Sequence, residues 1–178
     1  MHLSEFQKRK LALVFYRHDI GKDGLVSFQD LEICGSRVAQ LQQRVSQANT
    51  PEKMLFFFKK LWNRHYQPAD LDSDGRVALE EYLTYNDFFW PDRKLELELM
   101  GSLFDAIDLN GDGQISWEEY AIYLRALEIE ENIAQHAFSK LDLDGDGQIA
   151  RQEYAKYLYE YHFGNDPEAI GNWFYGSY

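Results

Sequence analysis

Apolar positions recur along this chain at intervals of three and four, the spacing of one helical face, and the helical runs are broken four times by short stretches rich in Asp, Gly, Asn and Ser. Leu99, Met100, Leu103, Phe104 and Ile107 make one apolar stripe, and Tyr154, Tyr157, Leu158 and Tyr161 make another. The stretch "NTPEK" places Thr50 as a helix cap and Pro51 at the first helical position, where its missing N–H is no loss. That helix is predicted to carry Leu55, Phe58, Leu61 and Trp62 toward the next acidic stretch. The pattern as a whole predicts an all-α chain.

The four interruptions are copies of one unit. They begin at Asp19, Asp70, Asp108 and Asp142 and read "DIGKDGLVSFQD", "DLDSDGRVALEE", "DLNGDGQISWEE" and "DLDGDGQIARQE". Each has an aromatic residue four positions before its first Asp (Phe15, Tyr66, Phe104, Phe138) and an apolar residue at its eighth position (Val26, Val77, Ile115, Ile149). After the twelfth position come Leu31, Tyr82, Tyr120 and Tyr154, and three residues later Cys34, Tyr85, Tyr123 and Tyr157. These offsets predict helix, twelve-residue loop, helix, four times over. The starts lie 51, 38 and 34 positions apart, so the first connection holds an extra stretch of helix or linker. The units fall into an N-terminal pair over 1–90 and a C-terminal pair over 91–178. Each pair is expected to be joined by short strand pairing at the eighth positions, with the two pairs packed as one globule.

The loops supply oxygen and nothing softer. A hard dication such as calcium takes six to eight oxygens, and a twelve-residue loop offers them from positions 1, 3, 5, 7 through its carbonyl, 9 often through water, and a bidentate acid at 12. The third loop fits throughout with Asp108, Asn110, Asp112, the Gln114 carbonyl, Ser116 and Glu119, and Gly113 at the turn. The fourth offers Asp142, Asp144, Asp146, the Gln148 carbonyl and Glu153, and the second Asp70, Asp72, Asp74, the Arg76 carbonyl and Glu81. Ala78 and Ala150 at position 9 leave water to complete those two shells. The first loop is eroded: Gly21 removes the third-position ligand, and Asp30 at position 12 is one methylene short of easy bidentate reach. Asp19, Asp23, the Leu25 carbonyl, Ser27 and Asp30 suit magnesium or weak calcium binding. Zinc is disfavoured by the all-oxygen set. A single acidic turn can be an Asx-rich loop and "SWEE" alone a capping box, but three complete copies in register with flanking helices point to metal.

Composition narrows the partners. With 18 basic against 30 acidic residues the net charge is -12, which repels nucleic acid and anionic lipid surfaces. Hydrophobic residues make up 45%, enough for a packed core. The single cysteine, Cys34, lies in an apolar helical phase and reads as buried packing, and without an internal disulfide the chain suits a reducing compartment. The opening "MHLSEFQKRKLALVFY" is too charged, and its apolar run too short, for a signal peptide, and no stretch reaches membrane-spanning length. A cytoplasmic monomer without membrane insertion is expected.

On these residues the chain resembles the EF-hand superfamily over essentially its whole length. The four-loop layout, the long first connection and the tail "EYHFGNDPEAIGNWFYG" are similar to the sarcoplasmic calcium-binding protein and calerythrin group. The resemblance implies two hand pairs packed face to face around an aromatic core, calcium as the bound ion with magnesium as competitor, and a cytosolic high-affinity buffer in which one hand has lost function.

Three functions compete on the residues themselves. A buffer hides its apolar surface, whereas a sensor opens a Met-rich groove for a target helix. Only Met1, Met54 and Met100 are present, and Ile170, Trp173, Phe174 and Tyr175 of the tail are expected to fold back into the interior. A carrier or photoprotein for an aromatic small molecule such as coelenterazine is the third class. Aromatic residues make up 16%, and His18, His65, Trp62, Trp90, Trp117 and Tyr82 fall near helix ends, so an internal cavity is conceivable. Photoproteins, however, end in proline and carry His and Trp four apart in the last helix, whereas Leu158 and Asp166 flank His162 at that spacing and Tyr178 stands at the end. The aromatics read as core. The five histidines fall singly, with no nucleophile and acid at recognisable spacing, so no enzymatic activity is expected.

Overall fold

The computed structural model describes residues 2–45, 51–88 and 93–176. Among them, each acidic stretch ends one helix and begins another. The first unit is α1 (Glu5–His18), β1 (Leu25–Ser27) and α2 (Phe28–Val45), and the second is α3 (Pro51–Leu61), β2 (Arg76–Ala78) and α4 (Leu79–Phe88). The third is α5 (Arg93–Ile107), β3 (Gln114–Ser116) and α6 (Trp117–Ala126), and the fourth α7 (Glu131–Leu141), β4 (Gln148–Ala150) and α8 (Arg151–Phe163). A strap over Gly164–Gly176, with a 3-10 turn at Ile170–Trp173, follows α8 and lies against it and α7.

The repeat offsets acquire physical meaning here. The aromatic four positions before each loop is buried, and its carbonyl takes the last helical hydrogen bond from the N–H of the loop's first Asp. These bonds run from Asp19 to Phe15 at 3.0 Å, Asp70 to Tyr66 at 3.1 Å, Asp108 to Phe104 at 2.9 Å and Asp142 to Phe138 at 2.9 Å. The eighth-position residues pair across antiparallel two-stranded ribbons, Val26 with Val77 and Ile115 with Ile149, all four fully buried. The helices of the two halves also meet, α2 against α6, α3 against α5 and α1 against α8, and the core between them is rich in aromatic rings. Tyr66 stacks on Tyr82 at 5.1 Å, and Phe174 of the strap meets Tyr154 edge-on at 5.1 Å.

Some sequence expectations change. Phe58 is buried as expected, but Leu55 is exposed, and α3 buries Met54 and Phe57 in its place. The run "MLFFF" offers two apolar phases, and α3 packs on α2 so closely at Gly35 that a Cβ there would lie 3.2 Å from the side chains of both Leu55 and Phe58, with the rest of Leu55 left in solvent. Tyr85 is only half-buried. The extra length of the first connection is spent on an 18-residue α2 and on a widening of the chain after α3 into a π-helical turn, Trp62–Tyr66, and a 3-10 turn, Gln67–Ala69. Pro68 explains the widening, since its ring cannot sit over the carbonyl four residues back in a regular helix. The expected cap at Thr50, Trp90 and the boundary between 90 and 91 lie outside the described residues.

Candidate metal centre

All four loops close in the same way. The first Asp accepts the N–H of the sixth-position glycine: Asp19 from Gly24 at 2.9 Å, and Asp70, Asp108 and Asp142 from Gly75, Gly113 and Gly147 at 3.0 Å each. Those glycines have φ of +83 to +85°, the left-handed turn a side chain resists. The fifth-position Asp accepts the N–H of position 7, at 3.0 Å for Asp23 and 2.8 to 2.9 Å for Asp74, Asp112 and Asp146, and so launches the strand. Position 4 is left-handed throughout as well. Gly111 and Gly145 fill it in the third and fourth loops, while Lys22 and Ser73 adopt φ of 53 and 63° there in the first and second.

The twelfth-position acid folds back over each loop. Glu81 accepts from the N–H of Leu71 (3.1 Å) and Ala78 (2.8 Å), and Glu119 from Leu109 and Ser116 (2.8 Å each). Glu153 accepts from Ala150 at 3.0 Å. The Ser116–Glu119 capping box is therefore present together with the loop geometry rather than instead of it. The carboxylate oxygens of Asp70, Asp72 and Asp74 lie within 4.8 Å of one another, as do those of Asp142, Asp144 and Asp146. Among the described residues, three acids converging with only the Arg76 guanidinium beside one of them, 3.1 Å from Asp74, make a donor set that fits a hard dication. In the third loop the amide of Asn110 lies against Asp112 at 2.7 Å, taking the place of the second acid. In the first loop Asp30 spans the shorter reach by accepting from Gly21 N–H at 3.2 Å and Ser27 N–H at 2.8 Å. Gly21 brings no oxygen from its side chain, so Asp19 and Asp23 stand without a third-position partner.

A second arrangement was legible in the sequence only in part, through the places of His18, His65 and Tyr82 near helix ends. Between the hand pairs lies a cavity of about 40 Å³, walled by apolar residues such as Val14, Phe57, Leu99, Met100 and Leu158 and by the polar groups of His18, His65, Glu96, His162 and Tyr175. Three histidines that stand apart in sequence meet there. His18 Nδ1 lies 2.8 Å from the Tyr66 hydroxyl, and His65 Nε2 lies 2.9 Å from Glu96 Oε1, although this second contact is not aligned as a hydrogen bond. Burial lowers the pKa of His18 to about 3, helped by His65, and that of His162 to about 4 against the opposing pull of Glu96. Both rings are therefore neutral near pH 7. Tyr82 lines the cavity as well, whereas Trp62 and Trp117 pack elsewhere on the core. The sequence signal was thin: Glu96 reads as a polar-face residue, and His65 sits in the π-helical turn, a device often found at functional positions.

A family model described as an EF-hand domain pair matches residues 98–159. No curated protein matches the chain by sequence. Among solved structures, the calcium-loaded apo form of a coelenterazine-binding protein from Renilla muelleri superposes with a TM-score of 0.74 at 24% identity, over 99% of this chain and 100% of that one. A sarcoplasmic calcium-binding protein from amphioxus gives 0.69 at 21% identity, over 99% of both chains. Okadaic acid binding protein 2.1 gives 0.74 at 19% identity, over 99% of this chain and 98% of that one. Among the described residues no helix is long and apolar enough to cross a membrane. Residues 98–159 match the EF-hand domain pair, and the chain as a whole shares the fold of the amphioxus sarcoplasmic calcium-binding protein.

Proposed function

We propose that this protein is a cytosolic calcium buffer, binding tightly through the second, third and fourth loops while its apolar interior stays closed. The ligands would be Asp70, Asp72, Asp74, the Arg76 carbonyl and Glu81; Asp108, Asn110, Asp112, the Gln114 carbonyl, Ser116 and Glu119; and Asp142, Asp144, Asp146, the Gln148 carbonyl and Glu153. The first loop, with Asp19, Asp23, Leu25, Ser27 and Asp30, serves chiefly as the structural partner of the second. The observation that carries the reading is the strap. Phe174 and Tyr175 are 0% and 4% exposed, and the Tyr120 hydroxyl donates to the Phe174 carbonyl at 2.8 Å, so the space a target helix would need is filled by the chain itself. Met54 and Met100 are buried in the core, which leaves no methionine-lined groove among the described residues. The test is a hydrophobic dye followed through a calcium titration. Dye binding that falls as calcium loads supports the buffer; dye binding that rises means a sensor surface opens.

A second reading has its own support. The central cavity is an apolar pocket with a few converging polar groups, the usual form of a small-molecule site. Two of the similar structures are of proteins named for binding coelenterazine and okadaic acid. The protein would then carry an aromatic or extended organic molecule between its hand pairs. A cavity of about 40 Å³ holds only a few water-sized groups, so such a cargo requires the interior to widen. Quenching of tryptophan fluorescence on addition of coelenterazine tests this directly.

A further inference from the structure

Lys10 falls in the charged run "KRK" of α1 yet is 1% exposed. Its ammonium donates to the Glu160 carbonyl at 3.0 Å, the Gly164 carbonyl at 2.9 Å and the Asn172 side-chain oxygen at 3.0 Å. All three donors of a lysine are thus spent on the end of α8 and the strap. Asn172, fully buried, folds the strap on itself by donating to the Asp166 and Pro167 carbonyls at 2.8 and 3.1 Å. The strap lies directly on α8: the Gly171 N–H donates to the Glu160 carboxylate at 2.9 Å, and a Cβ at Gly171 would come within 2.3 Å of the Tyr157 carbonyl. Beyond that contact Tyr175 supplies part of the wall of the central cavity, its ring 4.9 Å from that of Tyr161.

We infer that the strap Gly164–Gly176 is a releasable lid on the central cavity, and that Lys10, reaching across from α1, is its latch. A buried ammonium is held against a desolvation penalty, which lowers its pKa to about 8 against the opposing effect of Glu160, and it holds only while its acceptors are in place together. Removing either side of the contact leaves unpaired polar groups in the interior, so the hold fails steeply. Among the described residues the strap pairs with no strand, and its own backbone bonds are the short-range ones of 3-10 and turn geometry. Its ties to the rest of the protein run chiefly through the side chains of Lys10, Glu160 and Tyr120 and the burial of Phe174 and Tyr175, so it can leave without breaking a helix or a strand pair. What enters is the small molecule of the carrier reading, on which that part rests; the latch itself does not depend on it.

The test is amide hydrogen exchange of the calcium-loaded full chain, with uptake of a hydrophobic dye, in the wild type, Lys10→Met and Asn172→Ala. The reporters are the amides of Gly171, bonded to Glu160, and of Phe174, bonded to the Gly171 carbonyl at 3.0 Å. In Lys10→Met they should lose at least about tenfold in protection, the effect of one hydrogen bond to a charged group, while the amides of β1 to β4 keep theirs and dye uptake rises. Strap amides as protected as in the wild type in both variants overturn the latch. A loosened strap with unchanged dye uptake overturns the lid. If Lys10→Met loosens the strands as well, Asn172→Ala, which leaves α1 intact and removes the Lys10 acceptor together with the two bonds Asn172 donates within the strap, decides by the same criteria. Coelenterazine binding to the wild type, measured separately, tests the carrier reading and leaves the strap result standing on its own.

Discussion

Gly21→Asp should turn the first loop into a calcium site. The backbone there takes a side chain freely, since a Cβ would meet nothing nearer than Asp23 Cγ and Asp30 Oδ1, both at 3.8 Å. The new carboxylate would join Asp19, Asp23 and Asp30 in the arrangement that the second and fourth loops already show, where three acids lie within 4.8 Å of one another. Two charges at that separation repel by roughly 0.9 kcal/mol at the dielectric of water. Two new pairs, with Asp19 and Asp23, therefore cost the metal-free protein about 2 kcal/mol, or a melting temperature lower by roughly 4–8 °C for a chain of this size. Calcium at a hundred times the dissociation constant returns about 2.7 kcal/mol. Calorimetric titration of the variant should count one more ion than the wild type, and the gap between metal-free and loaded melts should widen. An unchanged ion count together with an unchanged metal-free melt would refute the assignment of these four positions as ligands.

The other loops are tested by loss. Glu81→Gln, Glu119→Gln and Glu153→Gln should each remove about one bound ion, read by the same titration, because the twelfth-position carboxylate supplies two of the oxygens. Acid should weaken the metal-free protein before its carboxylates titrate. The folded pKa values of His162 and His18 lie below the ordinary 6.5, at about 4 and about 3, so the unfolded chain takes up protons first. Stability is fully present above pH 6.5 and falls as pH drops toward those values, by up to about 1.4 kcal/mol per pH unit for each histidine. A urea midpoint that is flat from pH 7 to 5 contradicts this. Cys34, buried and with its thiol pushed up to about 12, should react with a thiol reagent at pH 8 about a thousandfold more slowly than in urea. Equal rates would mean that the α2 core opens readily.

What the sequence made legible was whatever repeats. Phe15, Tyr66, Phe104 and Phe138 occupy one structural position, as do Val26, Val77, Ile115 and Ile149, so four weak local signals reinforce one another. Leu55 shows the limit of a single helix: five apolar residues in succession carry two phases, and which one is buried depends on α2 and α5, against which α3 packs. The aromatic tail was legible because so much apolar surface has to be covered. Its polar holdfast was not. Lys10 and Asn172 are buried by contacts 162 positions apart, and a lysine within a charged run gives no local sign of facing inward. The cavity was legible in part, through His18, His65 and Tyr82, but Glu96 and His162 gave no sign of joining them, since these groups come from separate elements and meet only once the two hand pairs pack.

The most direct test of the central claim is the number of calcium ions bound by the chelated wild-type protein, titrated by calorimetry in a magnesium-containing buffer. Three tight sites, with the first loop taking magnesium or remaining weak, are predicted from the acids at positions 1, 5 and 12 and the side-chain oxygens at position 3 of the second, third and fourth loops. One tight site or none would contradict the account.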